Sequence, residues 1–157
     1  MKTKKILQEL CIAMLVILFV YTASIKLMKF EEHSLAMKAQ PLLPWLQNFL
    51  IYAVPFSEII AVILLAIAKL RRVGLFLTTA LLISFTGYVV LVNLNYYGRI
   101  PCSCGGVISS FSWQQHLVFN MFFVIISVVA IYLDYQIDKN DNKKQNLGYS
   151  GEQISLH

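Results

Sequence analysis

Charge is scarce in this chain. Only 13% of its 157 residues are Asp, Glu, Lys or Arg, while 58% are apolar. A water-soluble domain of that length has more surface than so few charges can cover, so an ordinary soluble fold is excluded. The net charge of +5 is not gathered on one face. It is spread between apolar runs, which argues against nucleic acid as a partner and for loops that meet a membrane surface. Cysteine is also sparse: Cys11, Cys102 and Cys104 are all there is. Zinc sites favour C-x2–4-C spacing and about four ligands, which the pair at 102 and 104 does not supply. No internal repeat is present, and the length allows one domain.

What the chain does have is four long apolar runs. They cover 6–27, 46–68, 73–94 and 117–133, and a helix needs about 20 residues to cross a bilayer. The fourth run is short, but Trp113 and Tyr135 extend it into the interface such residues favour. The sequence therefore predicts an all-α membrane protein, a four-transmembrane-helix bundle over 1–135 with a loop at 95–116. Beyond Asp134 the composition turns polar, rich in Asn, Lys and Gln, and 136–157 reads as a disordered tail. Lys2, Lys4 and Lys5 before an apolar core could mark a signal peptide, but Tyr21 stands where a cut after Ala23 wants a small residue. The first run is read as a retained helix.

Lysines and arginines orient the bundle. Four spans put both termini on one side, with Lys2, Lys4, Lys5, Lys69, Arg71, Arg72, Lys139, Lys143 and Lys144. The other side carries only Lys26, Lys29, Lys38 and Arg99. The positive-inside rule predicts cytoplasmic termini. The stretch GRIPCSCGG, residues 98–106, then lies on the non-cytoplasmic side, where disulfides persist.

Cys102 and Cys104 can bond to each other in a bent backbone. The alpha carbons must come within about 4.4–6.8 Å; Pro101 fixes one dihedral, and Gly105 and Gly106 allow the chain to fold back. So small a ring is strained, and strained exposed disulfides are the exchangeable ones. Its short loop removes little unfolded-state entropy, which suits exchange better than a staple. Two further readings stay open: Cu(I) held by the two soft thiolates, and a passive disulfide. Cys11 lies at the other end of its helix and reads as a small buried apolar residue.

Glu58 is the most informative intramembrane residue. A carboxylate at mid-span should face the bundle interior, be protonated or have a partner. Pro55 loosens the helix one turn earlier. Lys26 is a candidate partner, with snorkelling to the headgroups as the alternative. Tyr21 and Ser24, Ser84 and Tyr88, and His116 and Asn120 sit at helical spacings in the same half. Together they suggest a polar pocket of Tyr21, Ser24, Lys26, Tyr88, His116 and Asn120 beneath the CxC turn. The alternative is that such groups only glue helices together.

Taken in order, YTASIKLMKF closing the first helix, VPFSE in the second, and IPCSCGG before FSWQQHLVFN carry a resemblance. The chain resembles the methylamine-utilisation MauE family, within the wider DoxX-like group of small four-helix membrane proteins, over about residues 1–133. The resemblance implies thiol redox chemistry and a role in maturing methylamine dehydrogenase alongside a thioredoxin-like periplasmic partner. It carries the family's CxC motif onto Cys102 and Cys104 and its second-helix acid onto Glu58. This sequence has CSCGG where many relatives read nearer CGCFG, so Gly106 aligns and the aromatic contact does not carry over. A second, looser resemblance is to quinone-coupled disulfide generators such as DsbB and vitamin K epoxide reductase. These use two cysteine pairs. With one pair, a complete relay to quinone cannot be built from these cysteines alone, and a quinone stays an open question.

The expectation is a redox-active CxC turn, with Cys102, Cys104 and Glu58 as its chemical groups. It would sit on the periplasmic side of a bacterial-type inner membrane and act on a thioredoxin-like or client protein. The alternative is a non-enzymatic docking or stabilising module, or a Cu(I)-binding protein.

Overall fold

A computed structural model describes residues 2–94 and 113–154, with side chains at 2–94 and 114–140. The described residues form five helices: α1 Lys2–Met28, α2 Phe30–Lys38, α3 Pro44–Ala66, α4 Arg71–Asn93 and α5 Trp113–Ile154. Among the described residues there is no strand. Among the described residues four segments are long and apolar enough to cross a membrane, Lys2–Met28, Pro44–Ala66, Arg71–Asn93 and Gln114–Asn140. The protein is an all-α, integral membrane protein built on four spans.

The spanning helices pack in a ring. α1 touches α3 and α5, and α4 touches α3 and α5, so each span meets its two neighbours in sequence around an up-and-down bundle. The core runs along the bundle axis through Leu15, Phe19, Ala61, Leu65, Leu75, Leu82 and Ala130. Outside it, Phe49, Phe56, Ile63, Phe76, Val118, Phe122 and Ile125 stand exposed. In water such a surface would drive aggregation; in a bilayer it is the lipid face.

Each junction has a physical cause. Pro44 occupies the first turn of α3, where its missing N–H costs nothing. The turn from α3 to α4 is so tight that a Cβ on Gly74 would lie 2.8 Å from the Leu65 backbone nitrogen. Only glycine permits that approach. At the same end, Gln8 donates to Asp134 at 2.9 Å and Arg72 donates to Asp134 at 2.8 Å. Arg71 pairs with Glu9 at 2.6 Å. These contacts set α1, α4 and α5 in register where they leave the apolar layer. Cys11 is buried and free.

Two features differ from the sequence reading. The first is α2, a nine-residue helix between the first two spans that no apolar run announces. It is held from outside itself: Gln47 donates to the Lys38, Gln40 and Leu42 carbonyls at 3.2, 2.7 and 3.1 Å. The second is α5, which does not end near residue 133 but continues through the polar segment to Ile154. Arg72 also pairs with Asp138 at 3.3 Å, which ties the first turn beyond the span to α4. Asn, Lys and Gln tolerate a helix once one is nucleated and propagating from a packed segment.

Candidate functional site

The site begins with Lys26 and Glu58. Lys26 lies in the last turn of α1, and Glu58 lies well inside α3. Helical side chains lean towards their own N-terminus. Because α1 and α3 run in opposite directions, Lys26 leans into the bundle and Glu58 leans back towards it. The ammonium meets Glu58 Oε1 at 2.6 Å, with the two side chains 14% and 2% exposed. Of the two readings of Lys26, pairing is what the geometry shows and snorkelling is not. The Thr22 hydroxyl lies beside the same carboxylate and donates to the Phe19 carbonyl at 3.2 Å. From α4, the Phe85 ring centroid stands 5.9 Å from Lys26 Nζ, within cation–π range.

His33 enters from α2, and Pro55 explains why. Proline has no N–H, so within α3 the carbonyl of Ile51, four residues earlier, loses its helical donor. The buried His33 ring bonds to the Ile51 backbone. His33 Nε2 is buried with no hydrogen-bond partner. Burial, and secondly the nearby Lys26 charge, hold the His33 imidazole below its ordinary value, against the opposing pull of the Ile51 carbonyl. That burial favours the neutral imidazole.

His116 comes from the first turn of α5. It lies close enough for Lys26 to act on it electrostatically, and its Nδ1 is buried without a hydrogen-bond partner. Glu58 Oε2 is in the same position. Lys26 is thus the shared neighbour of three groups from three other helices. Each buried polar atom left unbonded costs about 1–3 kcal/mol, so three around one cation is a concentration that packing alone does not favour.

The sequence-predicted site residues separate into three sets. Lys26, Glu58 and His116 come together. Tyr88 is half-buried and donates to Gln40 Oε1, whose amide donates to the Ala36 carbonyl at 2.9 Å; it braces the α2–α3 turn. Asn120 is half-buried one turn along α5 from His116. Tyr21, Ser24 and Ser84 are exposed on α1 and α4. Cys102 and Cys104 lie outside the described residues. Thr22 and His33 escaped the sequence reading. Thr22 precedes Lys26 by four residues and so shares its face, a signal that was present. His33 had no local signal beyond the unpaired carbonyl that Pro55 implies.

The model of the family described as methylamine utilisation protein MauE matches residues 4–133. The chain belongs to the MauE family. No curated protein and no solved structure matches it. The match reaches into all four spans and takes in Lys26, His33, Glu58 and His116. Membership supports a membrane protein associated with methylamine utilisation.

Proposed function

We propose that this MauE-family protein carries out thiol–disulfide exchange through Cys102 and Cys104 on the non-cytoplasmic side of a bacterial-type inner membrane. Its partner is a thioredoxin-like or client protein, in the maturation of a methylamine-utilisation enzyme. The observation that carries this reading is the family match over 4–133, which includes both cysteines of the CxC motif.

The chemistry is self-contained. A client thiolate attacks one sulfur of the Cys102–Cys104 disulfide, that S–S bond breaks, and the displaced sulfur leaves as a thiolate. The client's second thiolate resolves the mixed disulfide. The client ends oxidised and the CxC pair ends as a dithiol; the reverse sequence reduces a client disulfide. Cys11 is buried in the bundle near the start of α1, so it is no second station for the electrons, and exchange with a partner is the simplest route. The lysine and arginine asymmetry supports an oxidising compartment for the pair.

A Cys104→Ser variant expressed in cells should accumulate a mixed disulfide with its partner, seen as a reducible band and identified by mass spectrometry. One copper retained per chain with no mixed disulfide would support the Cu(I) reading instead. Full function after loss of both cysteines would support a docking module.

A further inference from the structure

We propose that Lys2, Lys4, Lys69 and Lys139, at the end of the bundle where Gln8 meets Asp134, form a docking collar for the headgroups of anionic phospholipids. The cations at this end divide by residue type. Both arginines are engaged within the chain: Arg71 pairs with Glu9 at 2.6 Å, and Arg72 with Asp134 and Asp138 at 2.8 and 3.3 Å. Those pairs occupy every carboxylate that stands at this end among the residues with described side chains. Lys5 has an interaction of its own and is not counted. Lys2, Lys4, Lys69 and Lys139 are exposed, and among the described residues none of them has an ion pair. Four positive charges are left for something outside the chain to answer.

Their level in the bundle says which anion. The Gln8–Asp134 hydrogen bond, at 2.9 Å, fixes α1 and α5 at one level. Lys4 stands four residues beyond Gln8 on α1, and Lys139 five beyond Asp134 on α5. At 1.5 Å of rise per residue they lie about 6 and 7.5 Å further out, and Lys2 about 9 Å. The headgroup zone adds about 5–8 Å to each side of the hydrocarbon layer. Exposed apolar and aromatic side chains mark the same boundary beside each lysine. Ile6 and Leu7 lie between Lys4 and Gln8, Ile67 and Leu70 stand on either side of Lys69 in the α3–α4 turn, and Tyr135 lies one turn before Lys139. A lysine so placed covers apolar surface with its stem and carries its ammonium to the phosphates. A soluble polyanion would have to reach cations set apart on three segments of a lipid-facing rim, whereas phospholipid headgroups already surround that rim. An arginine fork would read the phosphate's shape, but both forks hold carboxylates. Lysines act as point charges, so the collar selects net negative charge rather than headgroup geometry. It depends neither on the cysteines nor on which side of the membrane this end faces.

The test uses the full-length protein in phosphatidylcholine vesicles, with spin-labelled phosphatidylglycerol or spin-labelled phosphatidylcholine as the probe. Electron paramagnetic resonance gives the fraction of each probe that the protein immobilises. At low salt the parent should hold phosphatidylglycerol about fivefold more strongly, the factor that one lysine near a headgroup contributes. The preference should shrink in about 1 M salt, where charges are screened beyond about 3 Å. Changing Lys2, Lys4, Lys69 and Lys139 together to Gln should remove most of it. Lys29→Gln with Lys38→Gln, at the opposite end of the bundle, should leave it in place. The fourfold variant keeps every ion pair among the described residues, so its thermal unfolding midpoint in detergent should match the parent's. Where it does not fold, Lys69→Gln and Lys139→Gln should each remove part of the preference alone. An equal preference in the parent and the collar variants would overturn the proposal, and so would its loss in the Lys29, Lys38 variant. Retention of RNA by the micellar protein with no preference between the two lipids would give the lysines to a soluble polyanion and overturn it as well.

Discussion

Lys26 Nζ and Glu58 Oε1 meet at 2.6 Å between two spans that run in opposite directions. The pair is almost wholly withdrawn from solvent, and its geometry follows from the lean of each side chain towards its own N-terminus. A buried ion pair is weak support for stability, because desolvation offsets much of the attraction; breaking one partner is another matter. That asymmetry orders the mutants.

Lys26→Met should be the worst single change, since it leaves Glu58 buried without its cation, a loss of about 3–5 kcal/mol. Glu58→Gln should insert at least as well as the parent, because a mid-span acid costs about 2.5–3.5 kcal/mol on insertion scales. The variant should be embedded yet inactive in the maturation assay. The double variant should recover most of the stability lost in Lys26→Met. Thermal unfolding in detergent gives the ranking, and a fully active Glu58→Gln protein would reduce Glu58 to helix packing.

Acid should loosen α2. His33 is held below its ordinary value of about 6.5 in the folded state, so the undocked helix binds more protons than the docked one. The docking free energy is then fully present above that value and is lost as pH falls from it through the folded value. Hydrogen exchange of residues 30–38 at about pH 7.5 and 5, corrected for intrinsic rate, should show faster opening in acid. Equal opening free energy at both would contradict a neutral buried imidazole. Pro55→Ala restores a helical donor to the Ile51 carbonyl, competes with His33, and should loosen α2 already at neutral pH.

Gly74→Ala should destabilise the bundle by about 1–3 kcal/mol, as overpacking does. The added methyl would meet the Leu64 and Leu65 backbone, at 2.9 and 2.8 Å, rather than a side chain able to move. Gly87, with nothing within 4 Å of its Cβ position, is the matched control; Gly87→Ala should be neutral or slightly stabilising. Equal losses at the two sites would mean that helix propensity, not the close approach, governs.

Thiol accessibility tests the orientation. In intact cells, after mild reduction, an impermeant reagent added from outside should label Cys102 and Cys104 and spare Cys11, which is 7% exposed and sits near the start of α1. Labelling of Cys11 alone would invert the bundle.

The disulfide itself is expected to be an exchanger. Structural disulfides in secreted proteins typically lie below about −300 mV, and the CxC pair should titrate above that in glutathione buffers, with alkylation counting free thiols. Each single Ser substitution should stop turnover while the bundle stays folded, since packed spans rather than a three-residue ring hold it together. A pair that stays oxidised in the most reducing buffer would be a staple.

The amino-acid sequence by itself determined the class, the number of spans and their approximate places. Long apolar runs broken by lysine and arginine have one solution in a bilayer, because every backbone group must be bonded within its own segment. It also singled out Glu58, since an acid in such a run has to be accounted for. What it could not decide was which polar residues look inward. Tyr21 and Ser24 have the right spacing to share a face and yet stand exposed, while Thr22, between them, is buried. In a span the outer face is as apolar as the inner, so periodicity does not distinguish them; only the packing of α3 and α5 against α1 does. The α2 helix was hidden for a related reason. Its mean composition is neither apolar nor polar, and it is held by Gln47 and by the His33–Ile51 bond rather than by its own propensity. The pairing of Lys26 with Glu58, thirty-two positions apart in the chain, belongs to the tertiary structure alone, because it needs the end of α1 packed beside the middle of α3.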